Sequence, residues 1–155
     1  MNPNELPSPD LFRHSTPVQI RFNDVDVLGH VNNTIYFTFY DTGKAHYFTA
    51  VKEQPVDWKN VDTVIANANC AYIAPIFFGE EIEVLTTCLS VSEKSFRLLQ
   101  MIRERNTGAV KSVCETVMVT FDPATQTAKP VPEDWREALE KFEGKSFKKT
   151  HITPQ

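Results

Sequence analysis

From residue 63 to residue 121 the chain is extended in character, cut only by short turn clusters. In residues 81–91, Ile82, Val84, Thr86 and Cys88 alternate with Glu81, Glu83, Leu85, Thr87 and Leu89. Residues 95–105 alternate again, and residues 109–121 close the run with Val117, Val119 and Phe121. Patterning of period two marks half-buried strands. Residues 63–76, rich in Val, Ile, Ala and Tyr, form a first strand that ends near Pro75. The breaks are Phe78-Gly79-Glu80, Ser92-Glu93-Lys94 and Asn106-Thr107-Gly108, built of residues that favour turns. Four strands in hairpin succession are expected to pair antiparallel. Their apolar face then needs a covering layer.

A helix ahead of them supplies that layer. From Asn32 or Asn33 to Val51, apolar positions recur at helical spacing: Ile35/Tyr36, Phe39/Tyr40, Gly43, Tyr47 and Ala50/Val51. Asn is a good N-cap, because its side-chain oxygen accepts an orphan N–H. The segment is aromatic-rich and weakly charged, so it is expected to be largely buried. Gly43 inside it costs about 1 kcal/mol relative to Ala, which close packing against a sheet explains. Val18, Ile20 and Phe22 alternate with Gln19 and Arg21 as a strand before the helix, and residues 132–142 read as a short amphipathic helix bearing Trp135, Ala138, Leu139 and Phe142. The class is α+β, without βαβ alternation. The divisions are an N-terminal arm (1–15), a single domain (16–143) and a basic C-terminal tail (144–155) carrying Lys145, Lys148 and Lys149.

Composition narrows the function. Of 155 residues, 20 are acidic and 16 basic, a net charge of -4, which disfavours nucleic acid as a partner. No apolar run approaches the ~20 residues that span a bilayer, and the first nine residues lack a signal-peptide core. Cys70, Cys88 and Cys114 are odd in number and show no zinc or redox spacing. That pattern points to a reducing, cytoplasmic setting with the thiols as small core residues. His14, His46 and His151 have no ligand spacing with His30, so no metal is expected.

Chemistry concentrates between the first strand and the helix. Asp24, Asp26, His30, Asn32 and Asn33 fall within ten residues, at a helix N-terminus. Such a terminus presents unpaired N–H groups and partial positive charge, suited to a developing oxyanion. A carboxylate beside it can attack a carbonyl or activate water.

The run Asp-x-Asp-x-x-Gly-His-Val-Asn-Asn-x-x-Tyr, starting at Asp24, resembles the hotdog-fold thioesterases of the 4-hydroxybenzoyl-CoA thioesterase type. It is similar above all to the branch with long-chain acyl-CoA and acyl-ACP thioesterases. Tyr72-x-x-Pro75-x-x-x-Gly79-Glu80-x-Ile82 and Lys94-Ser95-Phe96 add to the resemblance, which covers about residues 17–121. It implies a five-stranded antiparallel sheet wrapped around the long helix. It further implies subunits paired through their sheets as a homodimer or homotetramer, with the active site at the interface. The substrate it implies is an acyl-CoA or acyl carrier protein thioester, with CoA as part of the substrate and no separate cofactor expected. Asp26 matches the catalytic carboxylate, as nucleophile or general base, while His30 and Asn32 match the polar residues beside it. Gly29, Val31, Asn33, Tyr36 and Ser95 are the expected substrate-binding positions, with the carbonyl held near Val31 to Asn33. Where the aryl-CoA branch has Asp-Pro-Ala-Gly, this chain has Asp26-Val27-Leu28-Gly29, which favours fatty acyl groups.

Plainer readings stand beside these. Asp26 caps a turn, Asp24 pairs with Arg21, His30 bonds backbone, one Asn caps the helix, Tyr36 is core and Ser95 opens a strand. Two other activities fit the same fold: an enoyl-thioester hydratase or dehydratase, and a non-catalytic acyl-thioester-binding module.

Overall fold

The computed structural model describes residues 5–147. The chain forms β1 (His14–Val18), α1 (Ile35–Lys52), β2 (Thr63–Tyr72), β3 (Ile82–Val91), β4 (Ser95–Glu104), β5 (Val110–Asp122), β6 (Thr127–Ala128) and α2 (Glu133–Glu143). One antiparallel sheet runs in the order β1-β3-β4-β5-β2, and the two-residue β6 pairs with the end of β5. The sheet curls around α1 in the hotdog arrangement, with β6 as a strand beyond the expected five.

The β3-β4-β5 meander follows the turn signals, and Gly108 adopts a left-handed φ of 75° in its second turn. β2 departs from the expected succession. It pairs with β5 rather than with β3, as in Cys70 opposite Cys114 and Tyr72 opposite Ser112. The connection 73–81 is therefore a crossing over the end of the sheet, not a hairpin. Local bonds hold it there: the Ile73 and Ala74 N–H groups donate to the Lys111 carbonyl, and Lys111 Nζ donates to the Pro75 carbonyl at 3.0 Å and pairs with Glu80 at 2.9 Å.

α1 lies on the concave face. Tyr36, Phe39 and Tyr40 pack with Ile20, Val31, Ile76, Val84 and Ile102. Tyr47 and Val51 pack with Leu98, Met118 and Leu139 toward α2. Gly43 is the close approach between them, since a Cβ built there would sit 2.5 Å from Val84 Cγ1. α2 is anchored by two buried charges. Buried Glu143 accepts from Tyr47 Oη (2.8 Å), Thr87 Oγ1 and the Cys88 N–H. Buried Arg136 donates to the Ser92 carbonyl at 2.7 Å.

The first strand is shorter at its far end than its alternation suggested. It stops at Val18, and Phe22 points to solvent in a 3-10 turn, Phe22–Asp24. The buried Asp24 carboxylate draws the chain into that turn by accepting the Arg21 N–H at 2.7 Å. The segment expected as an arm is partly structured: Phe12 packs on the outer face of the sheet against Leu85, Leu99, Met101 and Val113. In the tail, Phe147 is buried and Lys145 lies over its ring; Lys148 and Lys149 lie outside the described residues. No described helix is long and apolar enough to cross a membrane.

Candidate active site

Three pieces converge at the N-terminal end of α1: the loop 25–34, the crossing 73–81 and the last residues of β2. The loop doubles back on itself through a bridge between Val25 and Val31. The Asp26 N–H donates to the His30 carbonyl at 2.8 Å, and Gly29 N–H to the Asp26 carbonyl at 3.0 Å. Gly29 closes the turn at φ 78°, a left-handed conformation that costs glycine little. The crossing segment props the loop from below. Val31 N–H donates to the Ile76 carbonyl at 2.8 Å, and the His30 ring stands edge-on to Phe77 at 4.9 Å.

Asp26 is exposed at the tip. Its Oδ1 accepts the N–H groups of Leu28 (2.9 Å) and His30 (3.4 Å). Its Oδ2 takes no bond among the described residues. The carboxylate is thus fixed by one oxygen and open at the other. The turn-capping and the chemical readings of Asp26 are compatible.

Asn32 does not head the helix as its N-cap, a position held by Thr34 without a side-chain bond. Asn32 Oδ1 instead accepts from the Thr34 N–H (3.0 Å) and Oγ1 (2.8 Å), and its carbonyl accepts the Ile35 N–H. Backbone bonding also narrows the expected cradle. The N–H groups of Val31 and Asn32 are consumed, the latter by the Asp24 carbonyl at 2.9 Å. Asn33 N–H has no partner among the described residues, and it sits at the positive end of an 18-residue helix. The Arg21–Asp24 pair bears out the structural reading of Asp24.

Tyr36 is buried, and its ring meets Tyr72 edge-on at 4.9 Å. Tyr72 Oη donates to the Asn33 carbonyl at 3.1 Å, so the end of β2 supports the loop. Burial lifts both phenols above their ordinary pKa, keeping them protonated as donors. Tyr72 stood in the second motif, and its ring was the available signal for this supporting role. Phe77 and its contact with His30 had no such signal. Behind Tyr36 and Tyr72, Cys70 lies opposite Cys114 across β2 and β5, and the interaction of the two thiols holds Cys70 below the ordinary thiol pKa and Cys114 above it. Cys70 is half-buried and also contacts Ser112 Oγ at 3.4 Å, whereas Cys88 and Cys114 are buried core residues.

Asp26, Gly29, His30, Val31, Asn32, Asn33 and Tyr36 thus lie together. Ser95 does not join them. It pairs with Val119, whereas Tyr72 pairs with Ser112, which separates the two ends by roughly 24 Å along β5 at about 3.4 Å per residue. The Ser95 hydroxyl is engaged by Ser92. Exposed Phe22, Val27, Leu28, Phe77 and Phe78 form an apolar fringe around the loop. Among the described residues no three His, Cys, Asp or Glu side chains group as a metal site.

The Thioesterase-like superfamily matches residues 20–139 of this chain. The long-chain acyl-CoA thioesterase FadM of Escherichia coli K12 is 26% identical over 130 residues, covering 82% of this chain and 97% of that protein. The uncharacterized protein YsmA of Bacillus subtilis 168 is 26% identical over 87 residues, which span 56% of this chain and 58% of that protein's length. Among solved structures, a thioesterase from Thermus thermophilus complexed with coenzyme A and Zn superposes with a TM-score of 0.78 at 26% identity, covering 88% of this chain and 98% of that one.

Proposed function

The chain belongs to the Thioesterase-like superfamily, and from that membership we propose that it hydrolyses acyl-CoA thioesters, with Asp26 as the reacting carboxylate. The observation that carries the reading is the half-tied state of Asp26. One carboxylate oxygen is bonded to the loop backbone and the other is open, in a loop that ends at the unpartnered Asn33 N–H. A thioester carbonyl placed against that N–H and the helix terminus gains stabilisation as its oxygen becomes negative. Asp26 Oδ2 then attacks the carbonyl carbon or takes a proton from the water that does. The carbon–sulfur bond breaks, one water is consumed, and the products are a carboxylic acid and a free thiol. A thiolate leaves readily, since free thiols have a pKa of about 8.5, so no strong general acid is needed. His30, braced by Phe77, and Asn32, which orders the loop, flank the reacting group. Tyr36 and Gly29 shape the approach.

The likeness to FadM, a long-chain acyl-CoA thioesterase, and the coenzyme A in the Thermus complex support a CoA ester as the substrate. The Val27-Leu28 tip and its apolar fringe support a fatty acyl group over an aryl one. The assembly we propose is a pair of copies joined along β2. Residues 64–71 of this edge strand carry no charge and no proline, and most are exposed. Natural edges are usually blunted by such residues, so an unguarded one suits pairing with its own copy.

Asp26→Asn tests the assignment. Its remaining oxygen can still accept from Leu28 and His30, so the loop is kept while the charge is lost. Thiol release from a panel of acyl-CoAs should fall by about 10²- to 10⁴-fold, with the melting temperature unchanged. Wild-type rates in the variant would remove Asp26 from the chemistry. Hydration of crotonyl-CoA without thiol release would replace hydrolysis with the hydratase reading.

A further inference from the structure

Cys70 and Cys114 face each other across β2 and β5. Their place in the ladder decides how close they come. The Ile73 N–H donates to the Lys111 carbonyl and the Phe121 N–H to the Asp62 carbonyl, so the odd-numbered residues of β5 bond to β2. Cys114 is even-numbered, and even-numbered Thr120 sends its N–H the other way, to the Lys94 carbonyl just before β4. Cys70 and Cys114 are therefore a non-hydrogen-bonded pair, the kind in which opposed side chains approach most closely. Opposed Cα atoms at such a site lie about 4.5 Å apart, inside the span of about 4.4–6.8 Å that a disulfide bridges. Both side chains leave the sheet on its α1 face, where Cys114 packs with Tyr36 and Tyr40 and Cys70 lies against the same cluster.

The two thiols are not equivalent. Cys114 is closed off at 1% exposure, and its neighbour Cys70 holds it above the ordinary thiol pKa. Cys70 is half-buried on the end strand of the sheet. Its sulfur lies 3.4 Å from Ser112 Oγ, which the Tyr40 hydroxyl holds at 2.6 Å. The Cys114 thiol is foremost among the groups that lower Cys70, burial opposes it, and Ser112 adds to it. The thiolate, not the thiol, is the nucleophile. A reachable thiolate beside a second, protonated thiol is the arrangement in which a sulfenic acid is resolved to a disulfide. Pairing along β2 engages backbone groups at the strand's edge, whereas the thiol stands on the face of the sheet. Cys88 is the contrast: it is buried, its Sγ donates to the Ser90 carbonyl, and burial above all pushes it up to about 12.

We propose that Cys70 and Cys114 form a hydroperoxide-reactive dithiol: peroxide oxidises Cys70, and Cys114 then closes a reversible disulfide that clamps β2 to β5. In the first step the Cys70 sulfur attacks one oxygen of hydrogen peroxide. The S–O bond forms, the O–O bond breaks, and the departing hydroxide is protonated to water. In the second step Cys114 gives up its proton and its sulfur attacks the Cys70 sulfur. The S–S bond forms, the S–O bond breaks, and the oxygen leaves as water. Two thiols lose two electrons and one peroxide becomes two waters. A small dithiol reverses the bridge by exchange. The clamp falls where the sheet has a single attachment, since β2 is an end strand whose strand neighbour is β5. Tyr72, which holds the Asn33 carbonyl, is two residues along the strand from the bridge. The proposal is independent of the thioesterase reading and needs only the two thiols and their ladder.

The test exposes the reduced, full-length chain to hydrogen peroxide and then counts free thiols under denaturing conditions. Of its three cysteines, wild type should lose two as free thiols, with peptide mapping joining Cys70 to Cys114. Dithiothreitol should restore both. Cys114→Ala should leave Cys70 as a sulfenic acid that dimedone traps, with no bridge within the chain. Cys70→Ala should slow peroxide consumption by at least about tenfold, whereas Cys88→Ala should leave it unchanged. Circular dichroism checks the folding of each variant. Oxidised wild type should melt at least about 5 °C above the reduced form, because the bridge constrains the unfolded chain. Cys114→Ala should show no such rise. Retention of every thiol in excess peroxide overturns the proposal. So does a bridge through Cys88 or between copies, or over-oxidation of wild-type Cys70 without a bridge. A bridged protein that melts no higher than the reduced one overturns the clamp.

Discussion

Asp26 shows how one side chain meets two demands. Its bonded oxygen serves the turn, and its open oxygen is what the proposed chemistry requires. His14 poses the opposite problem. It is half-buried against Tyr47 and Phe142, and its Nδ1 has no partner among the described residues. Burial, with repulsion from His46 next and some opposing attraction from Glu143, holds its pKa below the ordinary 6.5. The unfolded chain therefore binds a proton here more readily than the folded one. Stability from His14 is complete above pH 6.5 and is lost as pH falls through its lowered value. Melting curves at pH 7.5 and pH 5 should show a smaller acid loss for His14→Gln than for wild type. An equal loss in both would assign the acid sensitivity elsewhere.

At the scale of elements, Gly43 joins α1 to the sheet. A methyl group there meets the buried Val84 side chain at 2.5 Å and Gln100 Nε2 at 3.1 Å. Gln100 has little freedom to yield, since it donates to the Tyr40 carbonyl and Thr86 Oγ1. Gly43→Ala should lower stability in denaturant titration by about 1–3 kcal/mol, despite gaining about 1 kcal/mol in helix propensity. A neutral or stabilising result would mean that α1 can lift from β3 at no cost. This contact was legible as a glycine interrupting an aromatic helix, and the β3-β4-β5 meander was legible from its turn residues. The placement of β2 was not. Its partner lies far along the chain, and no local pattern records which strand a crossing connection reaches. Nor does any local pattern record that Ser95 lies at the end of the sheet away from the Asp26 loop of its own chain. The burial of Arg136 and Glu143 had no signal in the sequence, since charged residues are usually exposed, and only the packed structure supplies the carbonyls and hydroxyls that hold them.

For the whole molecule the open edge is the decisive surface. Ala68 lies near the middle of β2 and is exposed. Ala68→Lys would set two like charges face to face across a two-fold pair, which is unfavourable. Sedimentation should show the proposed dimer shifted to monomer, and palmitoyl-CoA turnover should fall with it. A dimer that survives the substitution would place the interface on another face.

The crossing that carries β2 to β5 also dictates an order of assembly. β3, β4 and β5 meet neighbours in sequence and close short turns. β2 must wait for residues 42 positions away, as Cys70 does for Ser112, and distant contacts form late because the loop must close before they are rewarded. β1 reaches farther still, to β3, as His14 does to Thr86, and of these two late strands β2 is the one that props the Asp26 loop through Tyr72. A chain still emerging or half-folded thus has its meander but no formed site, and competence to handle a reactive thioester arrives only with the finished fold.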